Sequence, residues 1–285
     1  MSAALFLDTE ELARKYEREP FLVHHDLVGH PLLTFDAVVE AAERLPEQNV
    51  EHNIGALPSV LVGTDAPRLS LRPREVAERV GENGCWMVLR WIHQLPEYGA
   101  LLDELLDQVA LVVPGGHDLG HRDAFLFLTG PGAVTPTHGD PEDNILCHVQ
   151  GRKTMVVGHH PDDDTKHREL EKHRRLGVRN FPYPPQRAST FELVPGDGVY
   201  VPPDSPHWVQ NAGEVSISFS IVWRPPALVR AGRVSRFNYG LRQRGLTPRA
   251  PGRNVVVDRV KSGLVWSSMA VRHRVLGRIF PSLRD

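Results

Sequence analysis

The stretch from Thr135 to Lys153 reads TPTHGDPEDNILCHVQGRK. Within nineteen residues it holds two histidines, three carboxylates and a basic pair. Its second half, NILCHVQ, is an apolar, strand-like run that a Gln-Gly turn separates from another, KTMVVGH. Its first half sets His138 two residues before Asp140. On an extended chain, residues two apart face the same way, so an imidazole and a carboxylate can address one point.

Working outward, the same pattern recurs. From about residue 123, DAFLFLTG, STFELV, GVYVPP and VSISFSIVW are further short runs punctuated by Gly, Pro and Asp. The chain carries 24 Gly and 24 Pro, which favours many turns and short strands over long helices. Such spacing predicts a mainly β sandwich or barrel. The segment PDDDTKHRELEKHRRL interrupts it as a charged loop or helix. Before it, DTEELARKYER reads as a helix capped by Asp8 with Glu11 three residues on. TFDAVVEAAERLP is a second helix, capped by Thr34 and ended before Pro46, and RPREVAERV is a short third. FLVHHDL and CWMVLRWI read as strands, and PEYGALLDELLDQVALVV has helical apolar spacing. After Trp223, RPP ends the β region, and helices are expected over about 227–244 and 258–280. The second places Val260, Leu264, Val265, Met269, Leu276 and Ile279 among arginines. It reads as a packing or dimer helix in preference to one lying on a membrane. The domain expectation is therefore 1–84 as α/β elements flanking the barrel, 85–225 as the β core with its preceding strand and helix, and 226–285 as a basic helical extension.

Composition narrows the class. At 285 residues, 41% hydrophobic and 24% charged, the chain has an ordinary globular profile. MSAALFLDTEELARKYERE has neither the basic start nor the apolar length of a signal peptide. No run reaches the eighteen apolar residues of a membrane span. Cys85 and Cys147 each lie in an apolar stretch, so two reduced thiols in a cytoplasmic protein are expected. Net charge is -2, but Pro226–Asp285 holds twelve Arg and one Lys against two Asp, about +11, leaving about -13 for the rest. This basic tail reads first as a face folded on an acidic body or a subunit contact, and second as a site for an anionic partner such as RNA. No helix-turn-helix region argues for DNA binding.

His138 and Asp140 leave most of a coordination sphere unfilled. The best third ligand is His207 in PGDGVYVPPDSPHW, where Pro-rich sequence ends a strand beside a histidine. Two histidines and one carboxylate on one face of an ion leave its other positions open, which suits non-haem Fe(II) more than closed tetrahedral zinc. A lone His-x-Asp is common by chance. The pair, a Lys fifteen residues after the first His, and a distal Pro-His after Gly-Asp-Gly are far more specific together.

With these motifs, the sequence resembles the JmjC-type, cupin-fold, Fe(II)- and 2-oxoglutarate-dependent oxygenases, in particular their bacterial cupin-like members, over roughly residues 85–245. The resemblance implies a double-stranded β-helix of jelly-roll or cupin type. It implies Fe(II) on His138, Asp140 and His207, and 2-oxoglutarate held by Thr135, Lys153 and Asn144. It also implies hydroxylation of a C–H bond in a protein, peptide or amino-acid-derived small molecule, with release of succinate and CO2. An RNA substrate stands lower, and a homodimer through the C-terminal helices is expected. Two alternatives stay open: a metal-binding cupin without 2-oxoglutarate chemistry, and a non-catalytic ligand sensor. The sequence departs from the family at Gly139, often bulkier, which implies an open pocket wall. It also has no Tyr between Gly99 and Lys153 to help hold the co-substrate, and Arg152 stands as a substitute for Lys153. His148 is expected to be structural. His159, His160, His167 and His173, with Glu142 and Asp143, are expected to face solvent. Tyr200 and Trp223 are expected in the core or pocket wall, and His117 and His121 could line the mouth.

Overall fold

The computed structural model describes residues 3–53, 57–60, 73–83, 85–114 and 116–279. The elements run β1 (Leu5–Phe6), α1 (Thr9–Lys15), β2 (Phe21–His25), α2 (Phe35–Arg44), β3 (Val50–Asn53), α3 (Pro73–Asn83), β4 (Trp86–Arg90) and α4 (Pro96–Val112). There follow β5 (His121–Thr129), β6 (Val134–His138), β7 (Asp143–Gln150), β8 (Lys153–His159), α5 (Asp163–Leu176), β9 (Gln186–Leu193), β10 (Asp197–Val201), β11 (His207–Asn211), β12 (Ser216–Arg224), α6 (Pro226–Arg242) and α7 (Val255–Ile279).

The strands form two antiparallel sheets. The larger has the order β1-β2-β10-β7-β12-β5-β4-β3 and the smaller β6-β11-β8-β9. Consecutive strands β7 and β8 lie in different sheets. Gly151, with φ +81, turns the chain between them, and a Cβ there would stand 2.7 Å from the Val215 carbonyl oxygen. This alternation of one chain between two facing sheets makes the jelly roll. The residues match the pleat. On β12, Ile217, Phe219, Ile221 and Trp223 join the core beneath the helices, while Ser216, Ser218 and Ser220 point the other way. On β7, Ile145 and Cys147 share the helical side, whereas Leu146 joins Met155, Val157, Leu193, Val199 and Val201 in a second cluster.

Helix α4 covers the outer face of the large sheet. Tyr98, Leu101, Leu102, Leu105, Leu106 and Val109 recur at three- and four-residue steps and are all buried. Truncating one of these leucines to alanine should cost about 2–5 kcal/mol. Asp8 and Thr34 cap α1 and α2 through side-chain bonds to backbone N–H groups two and three residues on. Cys85 and Cys147 are free thiols, both buried. Among the described residues no helix is long and apolar enough to cross a membrane.

The chain divides into two compact units, one of residues 1–160 and 180–225 and the other of 161–179 and 226–285. The first contains both sheets and the N-terminal helices. In the second, the charged segment proves helical as α5, with Asp162 as N-cap and Gly177 as left-handed C-cap. Arg242 makes a two-pronged pair with the buried Glu171 at 2.7 and 3.0 Å, joining α6 to α5. Lys261 of α7 donates to Asn238 of α6 at 2.7 Å. On α7, Val260, Leu264 and Met269 are exposed and Val265 is buried. The side chains of Leu276 and Ile279 lie outside the described residues, as does that of His117.

Candidate metal and co-substrate site

Strand β6 ends at His138 and β11 begins at His207, and the two residues are direct cross-strand partners. Their rings stand 4.1 Å apart, centroid to centroid. Asp140 lies beyond the end of β6, in the loop before β7, so the His-x-Asp pair does not share one strand as expected from its spacing. The loop nevertheless returns the carboxylate to the histidines. Asp140 Oδ2 is 3.9 Å from His138 Nε2 and 3.7 Å from His207 Nε2. One donor atom from each residue lies within 4.8 Å of the others, a spacing that one ion can bridge.

Hydrogen bonding sets the imidazole tautomers. His138 Nδ1 is 2.8 Å from the Pro136 carbonyl oxygen, and His207 Nδ1 is 2.9 Å from that of Ser205. A carbonyl only accepts, so each Nδ1 carries the proton and each Nε2 presents its lone pair toward the carboxylate. This is the outer-shell arrangement that orients metal-ligating histidines.

Thr135 is three residues from His138, an odd spacing that would put the two on opposite faces of a regular strand. The ladder is irregular here. His207 pairs His138 while Val209 pairs Thr135, with a register shift between them. The bulge restores Thr135 to the face that carries His138. Asn144 is buried on the inner side of β7 and accepts from the Ser220 hydroxyl at 2.7 Å. Lys153 opens β8 with only 4% of its surface exposed, whereas the neighbouring Arg152 is exposed and does not replace it. No hydrogen bond or ion pair engages the Lys153 ammonium among the described residues. Burial pushes its pKa down to about 7. A cation buried without an anion is costly, and a carboxylate ligand entering the jelly roll would supply the missing partner.

His148 is structural, as expected. Its Nε2 is 2.8 Å from the Gly151 carbonyl and its Nδ1 3.0 Å from the Ser218 hydroxyl. Burial, with the Lys153 charge nearby, pushes its pKa down to about 3, so it stays neutral. Tyr200 and Trp223 are fully buried on the helical side.

Several expectations are corrected. The space beside Gly139 is not an open wall: the Phe181 ring fills it, and a Cβ on Gly139 would lie 2.7 and 2.8 Å from that ring. Asp143 is fully buried, with its Oδ1 accepting from the Tyr200 hydroxyl and its Oδ2 without a partner. Burial raises its pKa to about 7. Glu142 is also largely covered, 3.7 Å from Arg224. His160 is buried, and His159, His167 and His173 are half-buried. Ser218 and Ser220 also belong to the inner face, beside His148 and Asn144. Serine at every second position of an otherwise apolar strand was the available signal for a polar inner face.

Comparison with known proteins follows this geometry. A family model for the JmjC domain matches residues 120–230. The match spans β5 to the start of α6 and so contains all six candidate ligands. Jumonji C domain-containing protein 5 of Drosophila melanogaster is 31% identical over 111 residues, 35% of this chain and 28% of the fly protein, so the likeness spans well under a third of that relative. Among solved structures, E. coli YcfD superposes with a TM-score of 0.54 at 18% identity, over 94% of this chain and 69% of that one. YcfD in complex with cobalt and 2-oxoglutarate gives 0.50, over 94% and 68%. At these identities the likeness to solved structures shows the fold alone.

Proposed function

We propose that this protein is an Fe(II)- and 2-oxoglutarate-dependent oxygenase that hydroxylates a C–H bond of a protein, peptide or small amino-acid-derived substrate. One observation carries the reading. Among the described residues no carboxylate pairs with the buried Lys153 side chain, which lies inside the same jelly roll in which His138, Asp140 and His207 converge. A metal-binding cupin that takes no anionic co-substrate gives this buried amine no partner to stabilise its charged form. The match to the JmjC domain, and the likeness to YcfD, described as a ribosomal oxygenase, support the chemistry and favour a protein among these substrates.

His138 and His207 would hold the metal through Nε2, with their Nδ1 protons fixed on the Pro136 and Ser205 carbonyls. Asp140 adds the one negative charge, and three ligands on one side leave positions for substrate groups. Lys153 would anchor the far carboxylate of 2-oxoglutarate, with the Thr135 hydroxyl donating a second bond. Asn144, held by Ser220, would lie beside it. Leu146, Met155, Val157, Leu193, Val199 and Val201 form the apolar cluster between the sheets and would help exclude water. When bound, the metal with 2-oxoglutarate and O2 supplies the oxidising chemistry, and the co-substrate leaves as succinate and CO2.

Cytoplasmic residence and homodimerisation belong to the same proposal. Two free buried thiols support the first. For the second, Val256, Val260 and Leu264 repeat every four residues on α7 and are exposed. The test of function is turnover of purified protein with Fe(II), ascorbate and 2-oxoglutarate. Succinate release that disappears in His138→Ala and Asp140→Ala supports the reading. Bound iron and co-substrate without succinate under any substrate trial would favour a sensor.

A further inference from the structure

The loop that carries Asp140 has no strand ladder of its own, yet its carboxylate must stand at a fixed point between two histidines. Its support comes from the turn between β10 and β11. The Asp204 backbone N–H donates to the Asp140 carbonyl at 2.6 Å. Asp204 has φ +63, a left-handed conformation uncommon for a non-glycine residue, so something must hold it there. It is also the turn residue from which Ser205 and His207 follow, and the Ser205 carbonyl accepts from His207 Nδ1. The Asp204 peptide therefore joins the segments that bear two of the three ligands.

His160 holds the following peptide, the one that carries the Asp204 carbonyl. Its Nε2 is 2.8 Å from the Asp204 carbonyl oxygen. A carbonyl only accepts, so the proton sits on Nε2, and Nδ1 accepts from the Tyr183 hydroxyl at 2.7 Å. The imidazole is buried and packs edge-on against Phe181 at 4.9 Å, and Tyr183 stacks on Phe181 at 5.7 Å. Phe181 in turn covers Gly139, and its backbone N–H donates to the Thr137 carbonyl at 2.9 Å. The backbone at Thr137, before the loop, and at Asp140, within it, is thus held by one cluster.

We propose that His160, oriented by Tyr183, is a positioning residue for the metal centre, acting through the Asp204 peptide on Asp140 and His207. It does not touch the ion. The inference rests on the metal reading above, and its test separates the two. Co(II) binding to the metal-free protein is measured by calorimetry and by the visible absorption of the bound ion, with no turnover required. The parent should bind Co(II) and His138→Ala should not; a parent that fails to bind overturns the metal reading and this inference with it. His160→Leu, which removes the donor to Asp204, should weaken Co(II) binding about 10- to 100-fold and alter the absorption bands. His160→Gln places an amide donor near the Nε2 position and should restore affinity to within about threefold of the parent. Tyr183→Phe loses one orienting hydrogen bond and should weaken binding about 3- to 10-fold, which keeps the test open if His160→Leu does not fold. Parent affinity and parent spectrum in folded His160→Leu or Tyr183→Phe, or equal losses in His160→Leu and His160→Gln, would overturn the proposal while leaving the metal reading intact.

Discussion

Replacing Lys153 by methionine should stabilise the ligand-free protein and disable co-substrate binding, two effects of opposite sign. The side chain is buried and its pKa falls from 10.5 to about 7 because burial penalises the charged form. At ~1.36 kcal/mol per unit, keeping the ammonium protonated inside the fold costs up to about 5 kcal/mol. Relaxation and water entry reduce this, and a gain of about 1–3 kcal/mol from a well-packed apolar replacement is the reasonable expectation. The folded pKa lies below the unfolded one, so between pH ~7 and ~10.5 the unfolded chain binds more protons. Parent stability should therefore rise with pH through that window, and Lys153→Met should flatten the rise. Binding 2-oxoglutarate restores the charge, so near pH 8 the parent should take up protons on binding. Denaturant titrations of the metal-free proteins from pH 6 to 10 measure the first effect. Calorimetry of 2-oxoglutarate into the metal-loaded proteins, in buffers of different ionisation enthalpy, measures the second. A metal-free Lys153→Met protein less stable than the parent, or one that binds 2-oxoglutarate with parent affinity, would refute the reasoning.

Two further outcomes follow from the same geometry. Gly139→Ala drives a methyl into the Phe181 ring and should cost about 1–3 kcal/mol of stability, and metal affinity should fall with it; unchanged thermal midpoint and metal affinity would contradict the packing described. Asp143 has a folded pKa raised to about 7, so its stabilising protonated form is lost as pH climbs from about 4 to above 7. Asp143→Asn keeps an acceptor for Tyr200 and should gain up to about 2–4 kcal/mol at pH 8 and nothing at pH 4 in chemical unfolding, whereas an advantage independent of pH would show another cause.

The strands that build the walls of the jelly roll were legible because their residues alternate or run apolar: β5, β7, β8, β10 and β12 all announce themselves. The two that carry the histidines do not. VTPTH contains a proline and two threonines, and HWVQN is half covered, so neither β6 nor β11 shows a clean period of two. The candidate trio was readable all the same, because His138, Asp140 and His207 sit in a distinctive spacing of motifs, and their side chains converge in the structure. What spacing could not convey was that Asp140 leaves the strand, or that a bulge puts Thr135 beside His138 on one face. The burial of Asp143, Glu142 and His160 was also hidden. Polar residues in turn-like sequence read as solvated, and only the tertiary placement of Tyr200, Arg224 and Tyr183 reverses that. Phe181 lies forty-two residues beyond Gly139, on the far side of α5, so no local pattern links the pair.

The central claim is tested most directly by diffraction at the metal absorption edge from crystals grown anaerobically with Fe(II) and 2-oxoglutarate. The account predicts one anomalous peak bonded to His138 Nε2, Asp140 and His207 Nε2, with the diacid extending from it to the Lys153 ammonium. A peak elsewhere, none at all, or a diacid that does not reach Lys153 would contradict it.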